Sequence, residues 1–93
     1  MIAKKVFFAG RVQGVGFRYE TKQLAMGFDV IGTVRNLADG RVELCAMGEV
    51  DEVEAFLKEI RDESNLSHHI LECQEEELAL SDMQEVKGFS ITG

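Results

Sequence analysis

The 93-residue sequence has no proline, no tryptophan, only two cysteines and no apolar run approaching the ~20 residues that a membrane-crossing helix needs. The missing run excludes a helical span. Cys45 and Cys73 fit no paired metal-ligand spacing and fall in stretches that read as strands, so they are expected as reduced core thiols rather than a disulfide or a metal pair. No repeat, linker or low-complexity segment interrupts the chain, and residues 1–93 read as one domain. Its first residues, MIAKKVFF, lack the long apolar core and small-residue cleavage site of a signal peptide, which points to the cytoplasm.

At 45% hydrophobic and 29% charged, the composition is that of a globular chain able to bury a core. The formal charge is −7, but it is unevenly laid out. Residues 1–41 hold seven basic side chains against three acidic ones, and residues 42–93 hold three against fourteen. An acidic protein is a poor partner for nucleic acid, whereas a basic first half suits a small anion. Within that half, GRVQGVGFR (residues 10–18) packs three glycines and two arginines into nine positions with no carboxylate.

Periodicity supplies the frame. Residues 4–10 (KKVFFAG) read as a strand ending in glycine. From Phe17 the apolar period changes to that of a helix, through Thr21, Leu24, Ala25 and Phe28. Residues 30–36 (VIGTVRN) and 42–47 (VELCAM) read as strands of a hairpin turning at Ala38-Asp39-Gly40. Val50, Val53, Phe56, Leu57 and Ile60 mark a second helix, with Asp51 and Glu54 near its positive N-terminal end. A polar connection at 64–67 leads to strands at 70–75 and 89–92, with Glu75-Glu76-Glu77 as a solvated edge. The order β-α-β-β-α-β with one short extra strand predicts an α+β sandwich. This is the ferredoxin-like split βαβ arrangement, an antiparallel sheet of four to five strands with two helices on one face. Phe7 and Phe8 are expected as core and cover rather than base-stacking aromatics, since the third strand offers no aromatic partner. His68 and His69, adjacent in an extended segment and without a third ligand, read as surface residues.

In that topology the third strand lies between the first two and antiparallel to both, so strands one and two end at the same edge. The glycine loop and Asn36 then stand roughly 10 Å apart, two strand spacings. The loop Gln13-Gly14-Val15-Gly16-Phe17 runs straight into a helix start, where free N–H groups and the helix dipole favour an anion. Gly14 and Gly16 allow successive amides to turn inward as a nest, and Arg18 adds a two-pronged donor matched to phosphate oxygens. No Gly-Lys-Ser/Thr follows, and Tyr19 occupies the last position of a would-be GxGxxG, so neither nucleotide motif fits. The loop has no Asp or Glu to hold a metal.

GRVQGVGFR, followed by GTVRNLADGRVE at residues 32–43, resembles in sequence, order and separation the pair of signatures of the acylphosphatase family. The resemblance is close over the first half of the chain and holds in outline over the second. It implies hydrolysis of acyl phosphates to a carboxylate and inorganic phosphate without cofactor or metal, by a monomer. Arg18 and the backbone amides of Gln13, Gly14, Val15, Gly16, Phe17 and Arg18 would hold the phosphoryl group, and Asn36 would position the attacking water. The partners would be a small acyl phosphate and inorganic phosphate, the product and competitor, with no nucleic acid and no membrane. A non-catalytic module of the same fold that binds acyl or carbamoyl phosphate is the alternative. The chain departs from the family at Thr33, where an aromatic is common, and at Arg61-Asp62-Glu63, where Gly-Pro is usual. It also departs at Phe28-Asp29, where Leu-Gly is usual; Asp29 is expected to take the left-handed turn that glycine would supply.

Overall fold

The structure, a computed structural model, describes residues 1–93. Five strands and two helices follow the chain as β1 (Ile2–Gly10), α1 (Phe17–Ala25), β2 (Val30–Asn36), β3 (Val42–Gly48), α2 (Val50–Lys58), β4 (Ile70–Leu78) and β5 (Phe89–Ile91). The strands pair side by side in the order β4-β1-β3-β2-β5. β3 is antiparallel to both β1 and β2, which sends the C-terminal ends of those two strands to one edge of the sheet, as the split βαβ reading requires.

One sheet face carries the helices. Val6 and Phe8 of β1, Val34 of β2, and Val42, Leu44 and Ala46 of β3 are buried beneath Phe17 and Ala25 of α1 and Val53, Phe56 and Leu57 of α2. The aromatic contacts are specific: the Phe8 and Phe17 rings lie 5.1 Å apart, and Phe56 stands 5.7 Å from both Phe28 and Phe89. Phe8 and Phe17 thereby pin the start of α1 to the strand that delivers the glycine loop. On the other face Phe7 is half-buried under the Arg41 guanidinium, 4.5 Å above its ring. Core and cover are thus the roles of the two phenylalanines.

Four expectations need correction. The sheet is mixed rather than antiparallel throughout, because β5 runs parallel to β2. β4 is antiparallel to β1 at one edge of the sheet, so the chain leaves it at the end where β2 begins. Residues 79–88 then cross the face away from the helices, burying Met83 against Ala3 and Cys45, and deliver β5 to the opposite edge running with β2. β4 also extends beyond residue 75 to Leu78, since its pairing with β1 continues to Ala3. Its glutamates obscure the period in sequence and guard an exposed edge against further strand pairing.

Asp29 is not left-handed: no residue other than glycine has a positive φ. The chain unwinds from α1 through tight turns, with the Gly27 and Phe28 amides donating to Leu24 and Ala25 carbonyls. The Asp29 N–H then donates to the Glu52 carboxylate at 2.7 Å, so a tertiary contact replaces the glycine turn. His68 and His69 lie in a 3-10 turn, Asn65–His69, rather than an extended segment. Ser64 sets that turn by accepting the Leu66 N–H and donating to the Ile60 carbonyl. Just before it, α2 widens over Glu59–Glu63, where the Ser64 amide donates to the Glu59 carbonyl five residues back. Both cysteines are free thiols, Cys45 buried and Cys73 half-buried, and burial pushes both thiol pKa values up.

Candidate active site

β1 ends at Gly10, and the Arg11 amide donates to the His69 carbonyl at 2.9 Å, anchoring the entry of the loop. Gly14 and Gly16 have φ of +78° and +80°. A Cβ at either position would meet nothing within 4 Å, so glycine is demanded there by backbone conformation and not by crowding. Gly16 is the N-cap of α1 and has no side chain to cap it. From Gln13 to Tyr19, no backbone amide donates to a carbonyl or a side chain of the protein. Seven consecutive free donors at an uncapped helix start are an electropositive cradle. Arg18, in the first turn of α1, is half-buried and pairs with no carboxylate. Arg35, Arg41 and Arg61, by contrast, are engaged by Glu43, Asp39 and Glu75.

Asn36 closes β2 opposite Val42 of β3 and faces the helix layer. Its Oδ1 is buried and meets no donor. Leaving such an acceptor unsatisfied costs about 1–3 kcal/mol, a cost that folds tolerate mainly where the group has other work. A cavity of about 300 Å³ joins Asn36 to Gly14, Gly16, Phe17 and Arg18, and its walls are completed by Val12, Tyr19 and Ile91. The strand topology therefore does bring the loop and the asparagine together, although they are 18 positions apart from Arg18 to Asn36 in the chain. No Asp, Glu or His lines this cavity.

The remaining two loop positions behave differently. Val15 is exposed and lies outside the cavity walls. Gln13 turns its carboxamide to the β2–β3 hairpin, where Nε2 donates to the Leu37 carbonyl at 2.8 Å and to the Arg41 carbonyl at 2.9 Å. That turn is itself held by Asp39, whose carboxylate accepts from the Arg41 amide and guanidinium; these bonds keep the Asp39 carboxyl below the usual carboxylate range. Gln13 is thus a brace between the glycine loop and the segment that begins one residue after Asn36. The signal for it lies only in the folded pairing of two distant loops.

Gln13→Ala should remove both bonds, each worth about 0.5–1.5 kcal/mol at most in so exposed a place. A misplacement of ~1 Å at a reacting centre can cost ~10²-fold. We expect a fall of about tenfold or more in kcat/KM with only a modest drop in Tm, read from steady-state kinetics beside thermal unfolding. Unchanged kinetics in the variant would show that the loop holds its place without the brace.

The acylphosphatase family model matches residues 4–91. An acylphosphatase of Lacticaseibacillus paracasei is 36% identical over 92 residues, spanning 99% of this chain and 97% of the relative. One from Staphylococcus aureus is 41% identical over 81 residues, 83% of this chain and 90% of its own. The crystal structure of the acylphosphatase from Bacillus subtilis superposes with a TM-score of 0.86 at 31% identity, covering 100% of both chains. Full-length HypF, solved in a phosphate- and nucleotide-bound form, contains a similar fold over 12% of its length; it covers 99% of this chain with a TM-score of 0.82 at 32% identity. A glycine loop that opens a helix, an unpaired arginine behind it and a strand-end asparagine across from it arise from a sequence that belongs to the acylphosphatase family.

Proposed function

We propose that the enzyme hydrolyses small-molecule acyl phosphates by in-line attack of a water, held by Asn36, on a phosphoryl group cradled by Arg18 and the amides of residues 13–18. The observation that carries this reading is the pairing, in one cavity, of unpaired donors on one wall with Asn36 on the other, its Oδ1 buried behind that wall without a donor. The donors match the equatorial phosphoryl oxygens, on which charge is spread in the transition state. A small turn of the Asn36 carboxamide lets Oδ1 accept a hydrogen bond from the water, leaving the water's lone pair aimed at phosphorus.

The bond from water oxygen to phosphorus forms as the bond from phosphorus to the acyl oxygen breaks, and the electron pair leaves with the carboxylate. A carboxylate with an ordinary pKa near ~4 departs without a proton, so no general acid is needed. With no Asp, Glu or His on the cavity wall, the water's proton passes to a phosphoryl oxygen, giving inorganic phosphate. Catalysis on this account is positioning and charge stabilisation by residues of the chain, without a cofactor. The same reading takes residues 1–93 as one domain acting as a monomer in the cytoplasm.

Hydrolysis of benzoyl phosphate in ¹⁸O-water with excess chelator tests the step directly. Attack at phosphorus puts the label in inorganic phosphate; label in benzoate would mean attack at the carbonyl carbon and would overturn the proposed geometry. A binding module without turnover has no use for Asn36, because phosphate capture needs only the loop and Arg18.

A further inference from the structure

Two side-chain polar atoms of the chain are buried without a hydrogen-bond partner, Asn36 Oδ1 and Thr21 Oγ1. The proposed reaction uses the first and not the second. Thr21 is wholly buried on α1, in the inward row Phe17, Thr21, Ala25. A threonine inside a helix commonly settles its hydroxyl on a carbonyl one turn back, and at Thr21 no such bond is made. The fold brings the two orphans toward one place. β1 and β2 are parallel, since both are antiparallel to β3, and α1 joins the end of β1 to the start of β2. α1 therefore runs back along β2 from Asn36 toward Val30, and it packs on that strand. Phe17, the first residue of the inward row, shares the cavity wall with Asn36. The next residue of the row lies ~6 Å further along the helix, close to the ~6.6 Å of two residues along a strand, which places Thr21 over the stretch between Asn36 and Val34. Helical side chains lean toward the N-terminus of their helix, so Thr21 points back to the Asn36 end of that stretch. The atoms are complementary: a hydroxyl has a proton to give, and a carboxamide oxygen only accepts, on two lone pairs.

We infer that Thr21 is a positioning residue for the attacking water: its hydroxyl donates to one lone pair of Asn36 Oδ1 when the carboxamide turns to hold the water on the other. The inference rests on the reading that Asn36 holds the water. The last side-chain torsion of an asparagine is broad, and only part of its range aims a water at phosphorus. A hydroxyl fixed in the core behind the carboxamide narrows that range. Thr21 can reach Oδ1 by a change of rotamer, because a threonine in a helix has two to choose from. Thr21 does not line the cavity and touches neither the phosphoryl group nor the water. Its effect therefore falls on turnover and not on phosphate binding, which belongs to Arg18 and the loop amides.

The test is a series at position 21, with benzoyl phosphate as substrate and inorganic phosphate as competitive inhibitor. Thr21→Val keeps the shape and loses the hydroxyl, Thr21→Ala loses both, and Thr21→Ser keeps the hydroxyl alone. kcat should fall about tenfold or more in the valine and alanine variants, the scale of a misplaced reacting group, and serine should recover most of the rate. The inhibition constant for phosphate should move less than about threefold throughout, and Tm of the valine variant should not fall, since a buried hydroxyl without a partner is what it removes. In an Asn36→Ala background Thr21→Val should cost less than about twofold more, because the group it positions is gone. Activity that follows side-chain size, with valine active and serine not, overturns the inference and makes Thr21 a packing residue. An equal loss in both backgrounds also overturns it, because Thr21 would then act without Asn36. Either hydroxyl-free variant alone decides the matter if the other does not fold. A wild-type kcat in Asn36→Ala itself would overturn the underlying reading of the water, an outcome separate from any result at position 21.

Discussion

Arg18→Ala is expected to lose phosphate binding and turnover together, with kcat/KM for benzoyl phosphate falling at least about 10²- to 10³-fold, the scale of removing one strong oxyanion donor. The expectation follows from what surrounds the side chain. Three other arginines of the chain spend their charge on Glu43, Asp39 or Glu75, while Arg18 reaches no carboxylate and lies on the cavity wall beside seven free amides. A guanidinium so placed is free to meet an anion, and the amides alone supply dipoles but no full charge. Arg18→Lys should recover only part of the loss, because an ammonium matches the charge and not the two-pronged geometry. Steady-state kinetics with inorganic phosphate as inhibitor check both statements. An alanine variant that still binds phosphate as the wild type does would take the cradle away from Arg18.

The parts of this site that were legible in sequence are those written in local chemistry. The switch of apolar period at Phe17 marks the start of α1, and the run VIGTVRN marks β2 to its last residue, Asn36. Gly14 and Gly16 advertise a backbone that only glycine adopts cheaply. What stayed hidden depends on contacts between distant segments. The direction of β5 follows from a crossing of the far sheet face, which is settled by Met83 packing on Ala3 and Cys45 and has no local signature. Asp29 does without a positive φ, and Glu52, on another helix, accepts its N–H. Gln13 reads as one more loop amide until Leu37 and Arg41 carbonyls are brought beneath its side chain. Tyr19 and Ile91 likewise become neighbours of one cavity only through the parallel β2–β5 register.

The hidden contacts and the legible ones have different consequences. In the proposed mechanism Gly14, Gly16, Arg18 and Asn36 supply the groups that meet the phosphoryl centre and the water. Gln13 ties the glycine loop to the β2–β3 hairpin, and Tyr19 and Ile91 border the cavity.

Asn36→Ala should separate turnover from binding. The substitution leaves Arg18 and every amide of the loop in place, so inorganic phosphate should still inhibit within about threefold of its wild-type constant, while kcat drops by about 10²- to 10³-fold. A residue kept for stability would behave otherwise. The Asn36 oxygen is buried without a donor, and such an atom costs about 1–3 kcal/mol as it stands, so its removal offsets the packing lost with the carboxamide. Tm should accordingly stay near the wild-type value or rise, a stability neutral or better than the activity it sacrifices. Asn36→Asp provides the contrast: it keeps the shape but places a carboxylate opposite a dianion, so phosphate binding and turnover should now fall together. If Asn36→Ala instead lost phosphate inhibition in step with kcat, Asn36 would be a ligand of the phosphoryl group itself. The water would then have to be oriented by the loop amides across the cavity.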